Sequence, residues 1–206
     1  MWVYIGDGET AMPAPCASMT DMVCRLHLAG TGMFGIKTGT QTDAKLAGRI
    51  MAGKFTGGPG TINLQLSLNA GSPPIDLPLT MAKADINVSA NGFGTGSKLG
   101  GAILQTDIEG KVHPAIQSIV TDLIDRDCTG TRTPPTCGCM SGSTGSSVLG
   151  FLDTQAPRDC MVSLAEVTET LNSLLTTDVD TNGDGTNDAV SLGIGVLAVK
   201  GTFTVP

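Results

Sequence analysis

Thr61-Ile-Asn-Leu-Gln-Leu-Ser-Leu-Asn69 is the stretch from which the fold is read. Ile62, Leu64, Leu66 and Leu68 fall on one side, and the polar residues fall on the other. A period of two is the mark of a half-buried strand. Gly71-Ser-Pro-Pro74 then turns the chain, and Leu77 to Val88 supplies a partner. The apolar phase of that partner shifts between Met81 and Ala82, which predicts a bulge.

Further strands are expected from Met22 to Leu28, from Met33 to Lys37, and across the mixed segment Lys45 to Phe55. Asn91 to Gly101 reads as a Gly-rich loop. Ile108, Val112, Ile116, Ile119, Val120, Leu123 and Ile124 repeat at helical spacing, with Gly110 and Pro114 blurring the start. A second helix runs from Ser163 to about Leu175 behind the capping box Ser163-Leu-Ala-Glu166, with Leu164, Val167, Leu171 and Leu174 as its apolar stripe. Val190, Leu192, Ile194 and Val196 mark a closing strand. The expected fold is mainly β: an antiparallel sandwich or sheet, two helices packed on one side, and a helix–loop–strand unit near the C-terminus. Residues 1–15 read as an apolar segment plus a Gly/Pro linker, and residues 16–206 as one domain in which 128–150 is a disulfide-tied loop insertion.

The helix–loop–strand unit is built on Asp178-Val-Asp-Thr-Asn-Gly-Asp-Gly-Thr-Asn-Asp188. Side-chain oxygens recur at every second position, and Gly183 and Gly185 let the backbone turn. A hard cation such as Ca2+ takes six to eight oxygens, and a tight Asp/Asn loop supplies them. Two registers fit D-x-[DN]-x-[DN]-G. Counting from Asp178 puts Ala189, which cannot ligate, at the twelfth position. Counting from Asp180 puts Gly185 sixth, Asp188 ninth and Ser191 twelfth, and fills more ligand positions. The expected ligands are Asp180, Asn182, Asp184 and Asp188, the Thr186 carbonyl, and an added oxygen from Asp178. No bidentate Glu is present, which argues for a Kd of about 10⁻⁴–10⁻³ M. A strand, not a second helix, follows the loop, which favours a static clamp over a sensor.

These residues resemble the calcium loops of thrombospondin type 3 repeats and dockerin-type modules, a resemblance covering 11 of the 206 residues. It implies calcium and nothing about the remainder. The general layout is similar to that of uncharacterised secreted bacterial proteins.

The chain carries a net charge of −7 and no basic cluster in sequence, a poor match to a nucleic-acid binder. Charged residues are only 15% and aromatics 3%, while the 28 Gly and 11 Pro imply many turns. No run reaches the roughly 20 apolar residues of a membrane helix. Met1 to Ile5 is too short for a signal-peptide core and reads as a mature or trimmed start. Six cysteines with a calcium loop point to an oxidising extracellular or cell-surface compartment. Proximity favours Cys16–Cys24, and Cys128 with Cys137 or Cys139, leaving the other for Cys160. Cys137-Gly-Cys139 lacks the spacer of a zinc knuckle.

Catalytic signals are weak. Gly48 to Phe55 is near a phosphate-binding loop, but Phe55 stands where Ser or Thr must hold magnesium. His27 and His113 are the only histidines, both expected at the surface, and no G-x-S-x-G occurs. Asp122, Asp125 and Asp127 could pair for glycoside hydrolysis, but read more simply as a solvated helix end. The expectation is a non-catalytic, calcium-stabilised, secreted or surface structural protein that self-assembles as a homo-oligomer or homopolymer, or adheres. The alternatives are a carbohydrate- or ligand-binding module and a calcium-dependent hydrolase. The strand-forming Met1-Trp-Val-Tyr-Ile5 must dock somewhere, on its own sheet or on the sheet edge of a neighbouring copy.

Overall fold

The computed structural model describes residues 1–14, 18, 20–22, 30–37, 44–66 and 74–204. The chain divides into two compact units. The first comprises Met1–Gln65, Leu77–Ile103 and Val179–Pro206, and is built of strands. The second comprises Leu66–Asp76 and Leu104–Asp178, and holds all the helices among the described residues. The protein is mainly β, as expected, and its sheets are open.

The β-rich unit holds a three-stranded sheet of β1 (Gly6–Met12), β2 (Gly32–Ile36) and β11 (Gly201–Thr204). β1 pairs antiparallel with β2, and β11 parallel with it. The larger sheet contains β3 (Gly48–Met51), β4 (Lys54–Gly57), β5 (Ile62–Leu66), β6 (Ile75–Ser89), β7 (Gly92–Phe93), β8 (Lys98–Leu104), β9 (Ala189–Gly195) and β10 (Ala198–Val199). β6 is its spine, with β4 and β5 paired to it on the N-terminal side of the sequence and β7 and β8 on the C-terminal side.

The bulge in β6 is where the sequence places it. Leu77 and Leu79 are buried in one phase, and Ala82, Ala84 and Ile86 in the other. Met81 absorbs the switch at φ 51°, and the pairing with β8 shifts between Thr80 and Lys83. One extra residue lets both apolar sets face the same core. Each buried Leu or Ile contributes about 1.5–3 kcal/mol of transfer free energy. The companion strand is less regular than its pattern: Ile62 is buried, but Leu66 is exposed. Leu68 lies outside the described residues, as do Cys16, Cys24, His27 and most of the strand expected from Met22 to Leu28; Met22 itself sits in a turn.

Other expectations need correction. Gly6 to Met12 is a strand, not a linker. Lys45 to Phe55 is not one strand but leads into the β3–β4 hairpin, whose Ala52-Gly53 turn has positive φ at both residues, as a primed two-residue turn requires. The presumed loop Asn91 to Gly101 contains β7 and the start of β8. Gly100 and Gly101 disguise that strand. A Cβ on Gly101 would lie 2.7 Å from Leu79 Cγ and from the Thr80 carbonyl, so close backbone approach, not turning, explains the glycine. Met1 to Ile5 docks on its own chain: the Val3 amide donates to the Ala44 carbonyl (2.9 Å) and the Leu46 amide to the Met1 carbonyl (2.8 Å).

In the helical unit, α1 (Gln105–Asp107), a π-helical turn (Ile108–Val112) and α2 (His113–Asp127) follow one another directly. α4 (Leu164–Leu174) begins at the expected capping box, with the Glu166 amide donating to Ser163 Oγ (3.2 Å) and the Ser163 amide to Glu166 Oε2 (2.8 Å). Of its stripe, Val167 is buried, whereas Leu164 and Leu174 near its ends are exposed. The insertion 128–150 is not all loop. It ends in α3 (Thr144–Leu152), capped by Ser143 and burying Leu149 and Leu152. These join Val120, Ile124, Val162 and Val167 in one core, tied by Cys128–Cys139 and Cys137–Cys160. That is one of the two pairings left open by the sequence.

Candidate metal centre

The acidic loop springs from a narrow neck. Val179 and Ala189 form an antiparallel bridge through two 3.1 Å hydrogen bonds, and Ala189 is fully buried. Between them the backbone winds around Asp180. Its Oδ1 accepts from the amides of Asn182 (3.2 Å) and Gly183 (2.7 Å), and its Oδ2 from the Gly185 amide (2.8 Å). Asn182 Oδ1 accepts from the Asp184 amide (2.9 Å), and Asp184 Oδ1 from the Thr186 amide (2.8 Å). Gly183 and Gly185 take φ of 80° and 88°, which only glycine adopts cheaply. The amides of Gly183 and Gly185 both point at the Asp180 carboxylate.

These hydrogen bonds, led by that from Gly185 and then that from Gly183, hold the Asp180 carboxyl below its ordinary range. A carboxylate oxygen has more than one lone pair, so accepting an amide leaves room for a cation. Asp188 is turned elsewhere: its oxygens accept from the Thr181 amide (2.9 Å) and hydroxyl (2.8 Å), closing the base of the loop. Asp178 is the last residue of the helical unit, and Ser191 is exposed on β9. Among the described residues, no group of three or more His, Cys, Asp or Glu side chains lies close enough to hold a metal. Asp180, Asn182, Asp184 and Thr186 thus share one turn, while the Asp188 carboxylate is bonded to Thr181 at its base.

The other residues with chemical potential are placed as follows. Asp127 is buried and accepts from Arg126 and from the Gly145 amide (2.8 Å), which hold its carboxyl low. Asp125 pairs with Arg132. Asp122 and Asp125 stand exposed as expected, and only Asp127 is buried, its carboxylate holding the start of α3 to the end of α2. The Gly48–Phe55 segment turns back as a strand where a phosphate-binding loop would open a helix.

His113 departs from expectation: it is fully buried. Its Nδ1 lies 3.2 Å from Thr168 Oγ1, and its Nε2 has no partner. Burial lowers its pKa, against the opposing pull of Glu109. One turn away, Gln105 Nε2 donates to Glu109 Oε1 (3.0 Å) and Asn172 Oδ1 (2.8 Å), and Asn172 Nδ2 donates back to Glu109 (2.8 Å). The π-turn brings this polar set together against α4. The sequence offers one signal for it, the polar residues Gln105, Glu109 and His113 at four-residue steps, a row that Gln117 and Thr121 continue.

The sequence matches no protein-family model, no curated protein and no solved structure.

Proposed function

We propose that this chain is a non-catalytic structural subunit of an extracellular or cell-surface assembly, with a calcium-binding loop at residues 178–188 as its clamp. The observation that carries the reading is the winding of the loop about Asp180, with Asn182 and Asp184 each fixed by an amide two residues on. Four alternating oxygen positions, Asp180, Asn182, Asp184 and the Thr186 carbonyl, on a glycine-hinged turn suit a hard cation, with water completing the shell. The two disulfides of the helical unit favour an oxidising compartment, and secretion follows as part of the same proposal.

A ligand that binds only the folded chain raises stability by about 2.7 kcal/mol at a hundred times its Kd. Calcium at millimolar concentration should therefore raise the melting temperature, EDTA should reverse the gain, and Asp180→Ala with Asp184→Ala should abolish the difference. Equal melting with and without calcium would sink the metal reading. The assembly half is read separately, from particle mass by light scattering.

A further inference from the structure

One face of the large sheet collects charge of the sign opposite to that of the whole chain. Residues directly across neighbouring strands run Arg49, Thr56, Asp85, Lys98, from β3 through β4 and β6 to β8. Lys54 and Lys83 sit two residues from Thr56 and Asp85 on the same strands, hence on the same face. Lys54 pairs with Asp85 at 2.9 Å. Arg49, Lys83 and Lys98 have no ion-pair partner among the described residues, and all three are exposed. Four of the chain's 12 Lys and Arg thus stand around one of its 19 carboxylates. The face is concave, a groove of about 1160 Å³ walled by glycine-rich strands. Side chains added at Gly193 or Gly195 would meet nothing within 4 Å, so its β9 wall is open.

The same unit carries the complement. Asn182 to Asn187 are all exposed, and a Cβ on Gly183 or Gly185 would likewise meet nothing within 4 Å. The tip of the acidic loop is therefore solvent-exposed. With Asp180, Asp184 and Asp188 ionised the loop carries −3, and one bound divalent cation would still leave it at −1.

We infer that the glycine-walled basic face is a docking site for the acidic loop of a second copy of this chain. The inference rests on the self-assembly proposed above and names its interface. The occupant is argued from charge: the groove lining is mainly glycine and small apolar residues with no aromatic ring, and it carries Arg49, Lys83 and Lys98, cations without an ion-pair partner among the described residues, which suits an acidic backbone turn better than a sugar. Val179 at the neck of the loop also lines the groove, so loop and groove adjoin, and two copies can exchange loops reciprocally across a two-fold axis.

The test is light scattering of the full chain in calcium-containing buffer across a salt series, with circular dichroism confirming that each variant is folded. Wild-type mass should exceed the monomer at low ionic strength and fall as added salt shortens the screening length to about 8–10 Å. Lys83→Glu with Lys98→Glu should weaken association about a hundredfold, because like charges would then face each other. Lys83→Gln with Lys98→Gln, which adds no repulsion, should weaken it less. Thr186→Lys keeps every loop carboxylate, and mixing it with the Glu variant should restore part of the association. A wild type that stays monomeric at low salt overturns the inference. So does association unchanged by the Glu variant, which would leave self-assembly through another surface intact. The calcium-dependent melting shift is measured on the monomer in either case, so its presence or absence is independent of this result.

Discussion

His113 has one ring nitrogen on Thr168 and none on solvent. A histidine whose folded pKa is depressed stabilises the fold while neutral. The sign follows: the unfolded chain takes up the proton first, so stability is present above the ordinary value of about 6.5 and is lost as pH falls below it. Melting temperature measured from pH 7.5 to 5 should therefore drop. His113→Leu should lower the curve at every pH and flatten this segment of it. Asp180 has the opposite chemistry but the same direction in pH. Its carboxyl is held low by loop amides, so its contribution is present above the usual aspartate range and is lost as pH falls through the lowered value.

At the scale of the element, Glu166 joins helix start to loop. Burial alone would raise its pKa, but donation from the amides of Ser163, Gln155 and Thr154 and from the Ser163 hydroxyl prevails and keeps it low. Glu166→Ala removes the cap and leaves several donors unpaired. We expect a loss of about 2–3 kcal/mol in denaturant titration, with Glu166→Gln losing less. In β8, Gly101→Ala should cost about 1–3 kcal/mol, since the added methyl meets a backbone carbonyl that cannot swing aside. Thermal melts of that variant against wild type check the magnitude. These two sites differ in legibility. Ser163-Leu-Ala-Glu166 announces its helix because the capping partners are three residues apart. Gly100-Gly101 reads as a turn because the reason for having no side chain lies on another strand.

At the scale of the molecule, the proposed calcium loop and the disulfides lie in different units. The acidic loop belongs to the β-rich unit from Val179 onward, and the two disulfides belong to the helical unit. Hydrogen exchange followed by mass spectrometry should separate them. Chelation should speed exchange in 179–195 and leave 120–167 little changed, while reduction should do the reverse. Each disulfide contributes about 2–4 kcal/mol by restricting the unfolded chain, so reduction should also lower the first melting transition. Uniform exchange changes under both treatments would show that the two devices act on the whole chain together.

The sequence by itself determined what depends on neighbours along the chain. The strand period with its phase shift at Met81, the capping box, the glycine-hinged turn around Asp180 and the closing strand after it all follow from short-range sterics and hydrogen bonding. Only the tertiary structure decided what depends on residues far apart in sequence. It buried His113, which looks like a surface residue beside Pro114, because Thr168 and the π-turn enclose it. It made a helix of Thr144 to Leu152 despite Gly145 and Gly150, because Asp127 receives the Gly145 amide and the space against α2 admits no larger residue. It also assembled Arg49, Lys54, Lys83 and Lys98, dispersed over fifty residues, into one face, because antiparallel register brings distant positions into a single row.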